Sequence, residues 1–137
     1  MRIAVFLQLL WVIGSIFLNL NGLDMLESSD ILPNPLPSTG AIYILLAIGI
    51  LQLLFYSFKM KVFFRLVSLA AAVYAGLNIY RVFFTDPEIW ENASWQWSDV
   101  FLNLFGLIAG LTGVLIRTSN KGYQPDPISP DFKNSGR

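Results

Sequence analysis

The chain has 137 residues, of which 55% are hydrophobic and 13% are charged, and its mean hydropathy is +0.58. A soluble domain carries about 25% charged residues, so a water-soluble fold is not expected. Nine basic and nine acidic residues cancel, which gives no indication of a nucleic-acid partner. Cysteine and histidine are absent, which excludes disulfides, Cys/His metal sites and histidine proton relays, so we expect no metal and no cofactor.

The apolar residues fall into four runs, each about as long as a membrane-spanning helix. The hydrocarbon core of a bilayer is about 30 Å thick and a helix rises about 1.5 Å per residue, so a span needs about 20 residues. The first run covers residues 3–20, between Arg2 and Asp24. We expect it to be retained as an anchor, because no small-x-small cleavage site follows it. The second run, residues 41–58, begins after a proline-rich segment that ends any earlier helix.

The third and fourth runs complete the predicted membrane domain. The third, residues 62–84, has only 15 residues between Arg65 and Arg81, which is about 22 Å of helix. We therefore expect both guanidinium groups to reach the membrane surface while their aliphatic stems stay in the apolar layer. The fourth run covers residues 100–116. The sequence predicts an all-α, polytopic membrane protein with four transmembrane helices in an antiparallel bundle.

The basic residues predict the orientation of this domain, which covers residues 1–117. With four spans, eight of the nine basic residues fall on the side of the two termini, and only Arg81 lies toward the other side. Cytoplasmic loops are enriched in Lys and Arg, so both termini are predicted to be cytoplasmic, in the inner (plasma) membrane of a bacterium. The polar, proline-containing residues 118–137 are predicted to form a disordered cytoplasmic tail. The eight residues are Arg2, Lys59, Lys61, Arg65, Arg117, Lys121, Lys133 and Arg137.

Small residues on the third and fourth spans predict a close contact between helices. Gly106 and Gly110 form a GxxxG pattern, and small residues let two helix backbones approach closely. The structural interpretation is that the third span packs on the fourth within the chain. The alternative is an interface with a second copy or with a larger membrane protein. The predicted helix-packing residues are Gly106, Gly110, Gly113, Ala71, Ala72, Ala75 and Gly76.

Polar residues near the outer ends of three spans predict a cluster. Helical spacing puts Asn78 and Arg81 on one face of the third span, and Asp99 and Asn103 on one face of the fourth. We expect Arg81 to pair with Asp99, Asn78 to pair with Asn103, and Asn19 to join them from the first span. One interpretation is hydrogen bonding that holds the bundle together. The other is an outward-opening cavity for a lipid headgroup or another anionic ligand, bound by Arg81.

Two functional hypotheses follow, and neither is catalytic. No set of groups with matched catalytic roles is present, so we do not expect an enzyme. The acidic residues Asp86, Glu88 and Glu91 do not have the spacing of an EF-hand or another metal-binding motif. The first hypothesis is an accessory subunit or assembly factor that packs its helices against a larger partner in the lipid bilayer. The second is a small protein that binds or transports a lipid or an anionic ligand through the polar cluster around Arg81.

Overall fold

The computed structural model describes residues 1–28, 37–84 and 93–115, and within these ranges it contains helices and no strand. Each helix is long and apolar enough to cross a membrane, which confirms the prediction of an all-helical fold with four helices of spanning length. The predicted tail, residues 118–137, lies outside the described residues. The helices are α1 (Arg2–Ser28), α2 (Thr39–Ser57), α3 (Lys61–Phe84) and α4 (Ala93–Leu115).

Two helices extend beyond their predicted spans. α1 continues to Ser28 instead of ending near residue 20, and α4 begins at Ala93 instead of near residue 100. Hydropathy marks the stretch that fits inside lipid, whereas a helix ends where its backbone groups find other partners. The two extensions meet at one end of the bundle, where Gly22 of α1 packs against Trp95 of α4.

Consecutive helices pack side by side, and α1 also packs against α4, which closes a four-helix ring. The neighbouring helices run antiparallel. On α3 and α4, Ser68 lies beside Gly113 while Asn78 meets Asn103, so residue numbers rise on one helix as they fall on the other. The two ends of the bundle differ in charge. The basic end carries Arg2, Lys59, Lys61 and Arg65, and the cavity end, described below, carries Asn19, Arg81 and Asp99.

A tight turn joins α2 to α3 at the basic end. The backbone N–H of Lys59 donates to the Tyr56 carbonyl at 3.1 Å, and that of Met60 donates to the Phe55 carbonyl at 2.9 Å. This is the Schellman pattern of helix termination, in which the residue after the cap is left-handed. Lys59 occupies that position with a φ of 55°. The turn thus satisfies the last carbonyls of α2 and starts α3 at once.

The middle of the bundle is filled by an apolar cluster around Trp11. This side chain is fully buried, and its ring meets Tyr74 edge-on, with centroids 6.4 Å apart and planes at 63°. Large apolar side chains on the outside remain exposed, as expected for a surface that lipid covers. The buried members of the cluster are Trp11, Val12, Leu45, Ile48, Ala71 and Ala75.

Candidate binding cavity at one end of the bundle

The first wall of the cavity is made where α1 meets the start of α2. Asn19 donates from its side-chain nitrogen to the Ser15 carbonyl at 2.9 Å, and its Oδ1 accepts from the Ser38 backbone N–H at 3.3 Å. Ser38 is the N-cap of α2, and its Oγ accepts from the Gly40 N–H at 3.2 Å. Asn19 therefore anchors the beginning of α2 beside α1.

The second wall is made by α3 and α4. Asn78 donates from Nδ2 to Oδ1 of Asn103 at 3.5 Å, which is the pairing that helical spacing predicted. Asn103 is nearly fully buried, and its own Nδ2 donates to the Asp99 backbone carbonyl at 2.9 Å. These bonds fix the register of α3 against α4 directly behind Asp99.

Between the two walls lies a partly enclosed cavity of about 50 Å³. It brings together four of the five predicted polar residues, from three different helices, whereas Asn103 lies behind the wall. The volume is sufficient for about three to five water molecules. The predicted ion pair between Arg81 and Asp99 stays a prediction, although both residues line this space. The lining residues are Leu18, Asn19, Pro37, Ser38, Ala41, Tyr74, Asn78, Arg81, Trp95 and Asp99.

The two charged residues of the cavity differ in their exposure. The Arg81 side chain is exposed at the end of the bundle, whereas Asp99 is 9% exposed. The Oδ2 atom of Asp99 is buried and has no hydrogen-bond partner among the described residues. A carboxylate taken out of water without such partners is costly, so this group favours a ligand that brings a cation or a hydrogen-bond donor.

Trp95 closes the side of the cavity, a role that its sequence position does not predict. A Cβ atom on Gly22 would lie 2.7 Å from two carbons of the Trp95 ring and 2.9 Å from Cβ of Pro37, so only glycine allows the three to meet. Tryptophans just before a span often lie at the membrane interface, at the level of the lipid headgroups. Trp97 is half exposed and fits that description, but Trp95 is 9% exposed and faces inward.

A second buried polar cluster, the glutamine layer, lies nearer the basic end and consists of Gln8, Gln52 and Ser68. Gln8 is fully buried and donates from Nε2 to both Ser68 Oγ and the Ala109 carbonyl, each at 3.0 Å. A Cβ atom on Gly113 would collide with Gln8 and Ser68. Gln52 is also fully buried, and neither of its amide atoms has a hydrogen-bond partner within the described part of the chain. The bonds of Gln8 tie α1, α3 and α4 together.

The predicted small-residue face of α4 is in contact with other helices of the same chain. A Cβ atom on Gly110 would lie 2.8 Å from Cβ of Ala72 on α3, and one on Gly106 would overlap the Trp11 indole of α1. Ala71, Ala72 and Ala75 are all buried. An interface with another chain through this face stays a prediction, and it would require α1 and α3 to leave.

The predicted packing role of Gly76 stays a prediction, because the structure shows open space where its side chain would lie. A Cβ atom built there would meet nothing within 4 Å. Ala72 lies one turn before it and faces α4, but the inward face of α3 continues through Ala71 and Ala75, so Gly76 falls at its margin.

Comparisons with known proteins assign no family to this bundle. Family models, curated proteins and solved structures were all compared with the chain, and none of them matches. The acidic residues Asp86, Glu88 and Glu91 lie outside the described residues, and no group of three or more Asp or Glu side chains that could hold a metal occurs in the part that the structure covers. A functional assignment therefore depends on the chemistry of the cavity.

Proposed function

We propose that the protein is a non-catalytic integral membrane protein that binds a small anionic ligand, such as a lipid phosphate, in the cavity at Arg81. The observation that carries the proposal is that Asn19, Asn78, Arg81 and Asp99, from three helices, line one cavity. A guanidinium pairs in a bidentate way with phosphate or carboxylate, and the two amides supply neutral donors beside it.

The cavity end would face the outside of the inner (plasma) membrane of a bacterium, with both termini in the cytoplasm. The basic end supports this orientation, because it carries Arg2, Lys59, Lys61 and Arg65. The chain has no natural cysteine, so single cysteines can be labelled cleanly. A membrane-impermeant maleimide added to intact cells should label Ser38→Cys and leave Lys59→Cys unlabelled, and the reverse pattern would refute the orientation.

Binding is favoured over transport by what lies beneath the cavity. The apolar cluster around Trp11, which includes Leu45 from α2 and Ala75 from α3, packs against Tyr74 of the cavity wall. Among the described residues, the buried polar groups of the glutamine layer lie beyond this cluster. A ligand that enters at Arg81 thus meets a packed apolar core instead of a polar path.

Loss of the guanidinium tests the proposed function. In the full chain reconstituted in nanodiscs, Arg81→Gln should reduce binding of phosphatidylglycerol by about 10- to 100-fold, because hydrogen bonds to a charged group contribute about 1.5–3 kcal/mol. Native mass spectrometry counts the bound lipid. Arg65→Gln is the matched control, since Arg65 lies at the opposite end of the same helix. Equal binding by wild type and Arg81→Gln would contradict the proposal.

The exposed face of α2 favours a second candidate, an accessory subunit or assembly factor that packs against a larger membrane protein. α2 has the smallest buried share of the four helices, and its exposed side carries Tyr43, Ile50 and Leu53. A partner helix would cover this face. A stoichiometric membrane protein that co-purifies with wild type but not with Ile50→Trp would support this function. Retention of that protein by Ile50→Trp, with loss in the matched α3 variant Leu77→Trp, would refute α2 as the docking face.

A further inference from the structure

The inner part of the cavity has chemistry that suits a cation. Asp99 contributes a buried carboxylate, and the rings of Tyr74 and Trp95 line the same space. Aromatic faces attract cations through the quadrupole of the ring, and a carboxylate adds full charge and hydrogen-bond acceptors. An anion bound at Arg81 leaves the Oδ2 atom of Asp99 without a hydrogen-bond donor among the described residues.

We infer that the ligand is a zwitterion, with a primary ammonium group beside Asp99 and a phosphate at Arg81. This inference rests on the proposed function, since it keeps Arg81 as the anion site. The exposure of the two residues sets the direction of the ligand, because Arg81 is exposed at the mouth and Asp99 is 9% exposed inside. The phosphate stays at the surface and the ammonium group enters.

The Oδ2 atom of Asp99 distinguishes a primary ammonium from a quaternary one. Oδ2 of Asp99 has no hydrogen-bond partner among the described residues, and a primary ammonium brings three N–H donors. A trimethylammonium group brings none.

The chemistry is therefore that of phosphoethanolamine, which exists both as a lipid headgroup and as a soluble compound. The mouth of the cavity lies at the end of helices long enough to cross a membrane, where headgroups are found. Binding to phosphatidylethanolamine in a nanodisc and binding to soluble O-phosphoethanolamine in detergent separate the two sources. Either source satisfies the inference.

The test compares three lipids that differ in the group attached to the phosphate. The full chain is placed in nanodiscs with phosphatidylethanolamine, phosphatidylcholine and phosphatidylglycerol in equal amounts, and bound lipid is counted by native mass spectrometry. Wild type should prefer phosphatidylethanolamine to each of the others by at least about tenfold. Asp99→Asn should abolish this preference and keep phosphatidylglycerol bound. Asp24→Asn, at an exposed acidic residue of α1, is the matched control and should leave the preference unchanged.

The outcomes separate the inference from the function on which it rests. If wild type binds phosphatidylglycerol and phosphatidylethanolamine equally tightly, the zwitterionic ligand is refuted and the anion site stands. The same holds if Asp99→Asn keeps the preference for phosphatidylethanolamine. If wild type binds no lipid and no O-phosphoethanolamine, the proposed function itself is refuted. If Asp99→Asn does not fold, the ranking of the three lipids by wild type decides alone.

Discussion

The glutamine layer and the cavity both place polar side chains inside the bundle, but they differ in the space beside those side chains. In the glutamine layer Gln8 reaches Ser68 and the Ala109 carbonyl, and Gln8 and Ser68 occupy the place that a side chain on Gly113 would need. At the cavity end Arg81 and Asp99 face a space of about 50 Å³. Polar groups that fill their surroundings hold helices together, whereas charged groups that border a space can bind a ligand.

The largest expected effect on stability comes from adding a side chain at Gly113. Gly113→Ala should lower the free energy of unfolding by about 1–3 kcal/mol, because its Cβ would collide with Gln8 and Ser68, whose hydrogen bond keeps both in place. SDS titration of the protein in detergent micelles measures this change. Gly76→Ala is the matched control on α3 and should be neutral or stabilising by up to about 1 kcal/mol, because nothing lies near its Cβ. Equal destabilisation by both variants would contradict the comparison.

A smaller effect separates the two glutamines of the layer. Gln8→Leu should destabilise by about 1 kcal/mol, since it loses two bonds between helices that average about 0.6 kcal/mol each in membranes. Gln52→Leu should be neutral or stabilising by up to about 1 kcal/mol, because its amide has no partner among the described residues. The same SDS titration compares them. If Gln52→Leu destabilises as much as Gln8→Leu, Gln52 also acts in holding the helices together.

Much of the fold follows from patterns within single helices. Four apolar runs predicted four helices, and the spacing of Asn78 and Asn103 predicted their hydrogen bond. The extensions of α1 and α4 were not predictable from hydropathy, because Asp24 and Asp99 interrupt an apolar run without ending a helix. Helical geometry tolerates a charged residue wherever its side chain finds water or a partner.

The parts of the site that could not be predicted depend on how one helix is rotated against another. Trp95 and Trp97 are two residues apart, and only the packing of α4 against Gly22 turns the first inward. The hydrogen bond between Gln8 and Ser68 likewise joins residues 60 positions apart. Neither helix sequence alone predicts this pairing. Periodicity identifies a polar face, but its partner is decided by the whole bundle.

A structure of the full chain in a lipid nanodisc that contains phosphatidylethanolamine would show directly whether the cavity binds a headgroup. We expect a headgroup at the cavity end, with its phosphate about 3 Å from the Arg81 guanidinium and its ammonium group beside Asp99. An Arg81–Asp99 ion pair that closes the cavity in the same membrane, with no headgroup bound, would contradict it.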